Sequence, residues 1–556
     1  MNTSLKERLE AAYAAQQSRT YFAAWPESPR AYAEDGMAQG LSAFQSLLTQ
    51  NFAELLQDGS QGWVGDEVSP YMMTGLGIQY PKFAPEVLIA NAKSAQKVWS
   101  KTSADIRAAV LLDALDRVAL RFFEIAYATM HTTGQSFMMS FQASGPHAND
   151  RALEVLSMAY HELNRFPSDV TWVKNMGKFD LTLQKNYKAI PKGVALVVGC
   201  STFPTWNTVP GLFGSLMTGN ASIVKPHPKS VLPIAIVVAE MQKALIAAGL
   251  PASVVQLGVD TLDHPITKEL AEDTAVKLID YTGGSAFGDY IESLHGKTVF
   301  TEKAGVNSVI LDSVVDANAV FGNLAFAASL YSGQMCTAPQ NIFVSAEGVK
   351  TAEGVKTAEG VLSYDDVVAG IANAVKGLAE NPKMGAGTLG AIQNDITSTR
   401  VKSVEAAAGS SVALASMNIV NPEFPDARTA SPTVIAVDAA DVKSWKHECF
   451  GPIVFVVKTE SAAHSLALTS DSASELGAIT CSCYSTDNEF MTEVEDAMNG
   501  VFTPVSFNFT GAAFVNQHAA FSDFHVTGGN PSGNASFTDS QYVNRRFVWV
   551  GNRKMG

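Results

Sequence analysis

From residue 194 onward the apolar positions fall in short runs separated by longer helical patterns. Val194, Ala195, Leu196, Val197 and Val198 form an unbroken apolar run, the mark of a strand buried on both faces. The same reading predicts strands over 221–224, 254–257, 276–280 and 298–301, with helices over 207–218, 231–248 and 285–294. Alternation of this kind predicts right-handed βαβ units and a parallel, doubly wound sheet. Upstream, Thr102-Ser103-Ala104-Asp105 reads as a helix start. Ile106, Val110, Leu111, Leu115, Val118 and Phe122 follow at helical spacing until Gly134 ends the run. Residues 151–164 form a further amphipathic helix, and residues 1–75 read as helical patches broken by Trp, Pro and Gly. Residues 181–190 alternate apolar and polar, as a strand with one solvated face does, and the last strand pattern, 547–550, is its natural partner. Residues 304–500 are again α/β.

Composition narrows this picture. A chain of 556 residues is too long for one core, so two or more domains are expected. With 47% apolar and 17% charged residues, large buried sheets and helices are expected rather than disorder. The net charge of −15 argues against a nucleic-acid or anionic-membrane surface, while still allowing a phosphate at a helix N-terminus. Residues 194–224 carry no charge, but Pro204, Pro210, Gly211, Gly214 and Gly219 interrupt them, so no membrane span is expected. Cys200, Cys336, Cys449, Cys481 and Cys483 are odd in number and lack a C-x-x-C pair. They read as reduced thiols of a cytoplasmic protein, without a disulfide frame or metal site.

The candidate chemistry centres on Cys336, near the end of L-Y-S-G-Q-M-C-T-A, and on Glu302, directly after an apolar strand pattern. Cysteine attack creates a covalent intermediate, and a nearby carboxylate can activate the water that releases it. A free thiol titrates near ~8.5, so Cys336 needs activation by its surroundings. Taken alone, Cys336 would read as a buried structural thiol and Glu302 as a surface carboxylate; the pairing argues against both. Three further segments fall at predicted strand C-termini, where doubly wound sheets bind nucleotides. They are 199–204, with Ser201 and Thr202; Lys225-Pro226-His227-Pro228; and Tyr281-Thr282-Gly283-Gly284-Ser285. The absence of G-x-G-x-x-G here argues against an ordinary Rossmann dehydrogenase.

These segments, with Glu448-Cys449-Phe450-Gly451-Pro452, resemble in order and spacing the motifs of the aldehyde dehydrogenase superfamily. The resemblance implies an α/β fold with two doubly wound α/β domains and a small β oligomerisation arm. The expected division is an N-terminal helical extension (1–84) and a cofactor-binding domain (85–300, arm strand near 178–190). A catalytic domain (301–510) follows, then a substrate-mouth segment with a C-terminal oligomerisation strand (511–556). Cys336 is implied as nucleophile and Glu302 as activator of water. Thr202 stands where the family has an oxyanion-holding Asn, working with the Cys336 N–H. Lys225, Ser201, His227, Thr282, Gly283, Gly284 and Ser285 are implied around the dinucleotide, with Glu448 and Phe450 at its nicotinamide end.

Many NAD-using members carry an acid three positions after the lysine; here Pro228 stands there between His227 and Lys229, which favours NADP over NAD. The T-F-P variant and the tail F-S-D-F-H-V-T-G-G-N-P-S-G-N-A-S-F-T-D look most like the PaaN-type enzymes of phenylacetate degradation. That likeness implies a small aldehyde, a semialdehyde carried on coenzyme A, and a homodimer or homotetramer. A coenzyme-A-acylating dehydrogenase and a catalytically silent scaffold remain as alternatives. A cysteine hydrolase ranks below them, because no His lies in a segment that looks placed to activate Cys336. The tandem A-E-G-V-K-T within 346–361 is expected to be a surface insertion, and His447 a loop histidine.

Overall fold

The run Val194–Val198 becomes the middle strand of a five-stranded parallel sheet in the computed structural model, which describes residues 3–351, 360–511, 513–515 and 520–556. The strand order is Val255–Leu257, Ser222–Lys225, Val194–Val198, Val276–Thr282, Thr298–Glu302. The chain winds outward to one side of Val194–Val198 and then to the other, so the order reverses beside that strand. Loops leaving the strand C-termini diverge there and open a crevice. The helices Pro204–Met217 and Leu232–Ala247 pack against this sheet and are buried along nearly their whole length.

A second, seven-stranded sheet runs Val412–Leu414, Thr433–Asp438, Ile453–Thr459, Asn341–Ser345, Ser308–Leu311, Cys481–Tyr484, Val505–Phe507. Its neighbours are parallel except at the Val412–Leu414 edge. The third assembly is the arm. Phe547–Met555 pairs antiparallel with Asp180–Pro191, as the alternation at 181–190 anticipates. Asp169–Asn175 adds a third strand that the hydropathy pattern does not reveal.

Local differences from the sequence reading have local causes. The run that starts at Ile106 is two helices, Ala104–Ala119 and Phe122–Thr133, rather than one. Arg121 stands between them with its guanidinium bonded to Glu54, Glu124 and Glu240, contacts that periodicity cannot register. The helix expected from 207 begins at Pro204, because proline at the first helical position gives up no backbone hydrogen bond. The N-terminal stretch forms Thr3–Ser18 and Gly36–Leu47, which pack on Pro146–Leu163 and Phe122–Thr133 respectively. Within the hexapeptide tandem, Val349–Thr351 pairs with Val361–Leu362; residues 352–359 lie outside the described residues. Among the described residues no helix is long and apolar enough to cross a membrane.

The C-terminal segment is fastened to the five-stranded sheet through one buried carboxylate. Arg546 donates to both oxygens of Asp280 at 2.6 and 2.7 Å, and Tyr542 donates to Oδ1 at 2.7 Å. Arg546 is fully buried. Arg546→Ala should therefore lower unfolding free energy by about 3–5 kcal/mol, since the carboxylate would stay buried without its partner. Urea unfolding monitored by circular dichroism measures this, and an unchanged midpoint would refute it.

Candidate active site

Cys336 is presented by a backbone turn that the local sequence makes unusual. Tyr331, Ser332 and Gly333 all have positive φ, at 52°, 49° and 63°. Two non-glycine residues in the left-handed region cost energy, and side-chain bonds to neighbouring segments offset it. Tyr331 donates to Thr133 O at 2.6 Å, and Ser332 donates to Ala430 O at 2.8 Å. At Gly333 a Cβ would come within 2.4 Å of Gly451 O, so only glycine lets these two backbones meet. Asn307 completes the support: its amide donates to Cys336 O at 2.7 Å and to Ala338 O at 3.1 Å.

Glu302 ends the edge strand Thr298–Glu302 and is buried. Asn207, one turn into the helix Pro204–Met217, donates to Oε2 at 2.9 Å and accepts the Cys200 thiol at 3.7 Å. The other carboxylate oxygen faces His525. The Nε2 of His525 lies 3.3 Å from Glu302 Oε1 and 3.8 Å from Cys336 Sγ. One carboxylate oxygen of Glu302, the Cys336 sulfur and one ring nitrogen of His525 thus all lie within 4.8 Å of one another. This corrects the expectation that no histidine is placed to meet Cys336.

His525 arrives from the tail because that segment zips onto the free edge of Thr298–Glu302. Asn534 N donates to Thr301 O at 3.1 Å, Lys303 N donates to Ser532 O at 2.6 Å, and Gly533 bridges Glu302. The imidazole then meets Trp206 edge-on at 4.9 Å and lies parallel to Phe537 at 6.3 Å. Arg151 stacks on Trp206, 3.4 Å from the ring centre, and donates to Trp206 O at 2.7 Å. His525 is separated from its partners by 189 and 223 residues in a polar, turn-rich stretch. Its one sequence signal is that this tail departs from the family's usual pattern.

Two cavities meet at Cys336. The larger, about 780 Å³, spreads over the C-terminal ends of the five-stranded sheet. Its wall includes Ser201, Thr202, Lys225, His227, Thr282, Gly283 and Gly284, and also Glu302, Glu448 and Phe450. Ser285 opens the helix Ser285–Glu292 and does not line it. The smaller cavity, about 240 Å³, is walled chiefly by Met138, Met139, Phe203, Trp206, Phe326 and Phe514. A dinucleotide fits the first by chemistry as well as size: a helix N-terminus, a glycine pair without Cβ atoms, and a buried lysine at a strand end.

The electrostatics assign protonation states. Burial pushes the Glu302 carboxyl up, but His525 and Arg151 outweigh it and hold the group below its ordinary value. Burial, the Glu302 charge and the nearby Cys200 push the Cys336 thiol well above the usual range. Glu448 is raised to about 7 by burial, against the pull of Arg400. Thr202 lines the same cavity as Cys336, and its backbone carbonyl accepts from Gln135 at 2.8 Å.

The corner that carried the NADP preference also looks different in three dimensions. Asp260 comes into the cavity wall and pairs with Lys225 at 2.5 Å. Burial, with Lys225 and Lys229 nearby, lowers His227 to about 4, so its ring is neutral. Lys229 is not part of the wall.

The family model for the aldehyde dehydrogenase family matches residues 85–522. The crystal structure of an NAD-dependent aldehyde dehydrogenase from Burkholderia multivorans superposes with a TM-score of 0.95 at 45% identity, covering 100% of this chain and 98% of that one. A vanillin dehydrogenase of Corynebacterium glutamicum is 25% identical over 296 residues, 52% of this chain and 56% of that protein. The chain spans about half the length of the curated relatives it matches. At the level of fold alone, an NADP-dependent glyceraldehyde-3-phosphate dehydrogenase from Bacillus halodurans matches with a TM-score of 0.68 at 18% identity, covering 89% of this chain and 96% of that one.

Proposed function

The chain belongs to the aldehyde dehydrogenase family, and from that premise we propose that it oxidises an aldehyde to a carboxylic acid with a nicotinamide dinucleotide. One observation carries the reading: Cys336 stands in the walls of both cavities, with the Glu302 carboxylate beside it. The thiolate of Cys336 adds to the aldehyde carbon to give a thiohemiacetal, its oxyanion facing the Cys336 N–H. A dinucleotide held by Lys225, Thr282, Gly283 and Gly284 would supply the hydride acceptor, and loss of hydride from this adduct gives an acyl thioester. Glu302, held ionised, then takes a proton from water as that water attacks the thioester carbon. Asn207 fixes the carboxylate for this step through its 2.9 Å bond.

NAD is the cofactor we favour. A ribose hydroxyl can bond Asp260, whereas a 2′-phosphate would meet its carboxylate with Lys225 already paired to it. The substrate cavity is apolar and aromatic, which suits an aldehyde bearing an aromatic or acyl group. Among the described residues its titratable wall groups are His147 and Cys336, which suits the apolar end of a substrate better than the phosphates of a coenzyme-A-linked semialdehyde. The arm leaves Val173, Phe179 and Val548 more than half exposed, which supports its reading as an oligomerisation element.

The test is a panel of aromatic, aliphatic and coenzyme-A-linked aldehydes with NAD or NADP, with and without free coenzyme A. Cofactor reduction is followed and the product identified by mass. Acid formation without free coenzyme A, faster with NAD, is the expected result. Turnover that requires free coenzyme A would place the protein in the acylating branch instead.

A further inference from the structure

The geometry assigns to His525 the role of proton acceptor for the Cys336 thiol, a catalytic residue contributed by the C-terminal tail. Cys336 cannot simply release its proton to solvent near neutral pH, because burial and an adjacent carboxylate both oppose an isolated thiolate. The proton has to be taken in place. With the neutral ring protonated on Nδ1, His525 Nε2, 3.8 Å from Sγ, stands where it can take it, and Glu302, which also bonds the thiol, has Oε1 3.3 Å from the imidazolium that results.

In this step the S–H bond breaks, its electron pair stays on sulfur, and an Nε2–H bond forms. Nothing is oxidised or reduced. The proton returns when hydrolysis of the thioester frees the sulfur. The product of the transfer is a cation between two anions, an arrangement that low-dielectric surroundings strengthen. It also divides the labour: Glu302 need not accept the thiol proton, so it stays ionised for the later water step.

The ring is built to stay in place. Trp206 and Phe537 flank it, and Phe521 and Val526 on either side adopt positive φ, at 68° and 57°. The Phe521 N–H is held by Glu154 Oε1 at 2.9 Å. Among the described residues, the charged and titratable groups acting on Cys336 are Glu302, Cys200 after the middle strand and Arg151 from the helix Pro146–Leu163, with Glu154 and Tyr542 next to Arg151.

This inference rests on Cys336 being the nucleophile proposed above, so its test reads the thiol itself and not aldehyde turnover. Alkylation of Cys336 by iodoacetamide is followed by mass spectrometry across pH in the full chain and in His525→Gln. At about pH 7 the variant should react about a hundredfold more slowly, and its rate should recover as pH rises through the ordinary thiol range. Coincident pH profiles would overturn the role. Should His525→Gln fail to fold, thiolate ultraviolet absorbance of the unmodified chain minus Cys336→Ala decides: a thiolate signal at neutral pH supports the pair, and its appearance only at alkaline pH refutes it. A shifted alkylation profile without any aldehyde oxidation would leave the pair standing and remove the dehydrogenase reading. Aldehyde oxidation with coincident profiles would do the reverse.

Discussion

Cys336→Ala is expected to lose aldehyde oxidation by at least about a thousandfold while retaining dinucleotide affinity. Cys336 lines both cavities together with Phe203, and removing its sulfur takes away the atom that forms the covalent adduct. The loop should survive the change. Asn307 holds it through the backbone carbonyl of residue 336, and the left-handed turn at 331–333 is fastened by Tyr331 and Ser332. Steady-state cofactor reduction together with cofactor-binding fluorescence separates the two effects. Activity above about a tenth of the parent rate would exclude covalent catalysis by Cys336.

Glu302→Gln should give a different failure. Glutamine keeps the shape and can still accept from Asn207, but it can neither act as a base nor balance an imidazolium at His525. Rapid mixing with aldehyde and dinucleotide should show a single equivalent of reduced cofactor per chain, formed more slowly than in the parent. Steady-state turnover should then fall by about 10²–10⁴. Acid quenching at the end of the burst should trap an acyl group on Cys336, visible by mass. A parental steady-state rate would remove Glu302 from the hydrolytic step, and loss of both phases with no acyl adduct would place its main role before the thioester.

The two variants therefore separate nucleophile from base. Arg546→Ala acts at a distance and tests a third property: how firmly the tail that carries His525 is anchored to the nucleotide-side sheet through Asp280. The tail is thus part of both the fold's stability and the site's composition.

Elements whose signals are local can be read directly from the order of residues. Apolar runs of strand length and helical periodicity located the five-stranded sheet, because a strand buried on both faces must be apolar throughout. The alternation at 181–190 identified the arm strand and its partner for the same kind of reason. Cys336 and Glu302 were legible since each sits beside a recognisable turn or strand end, and Lys225 because it closes an apolar strand. Tertiary structure alone decided which distant groups face those residues. Asp260 reaches Lys225 across neighbouring loops at the strand ends, and Asn207 reaches Glu302 from a helix 95 residues away. His525 reaches Cys336 only because the tail pairs with the edge of Thr298–Glu302. Periodicity reports the face a residue buries, not the side chain it meets there; that choice is made by backbone pairing and packing between segments from tens to hundreds of residues apart.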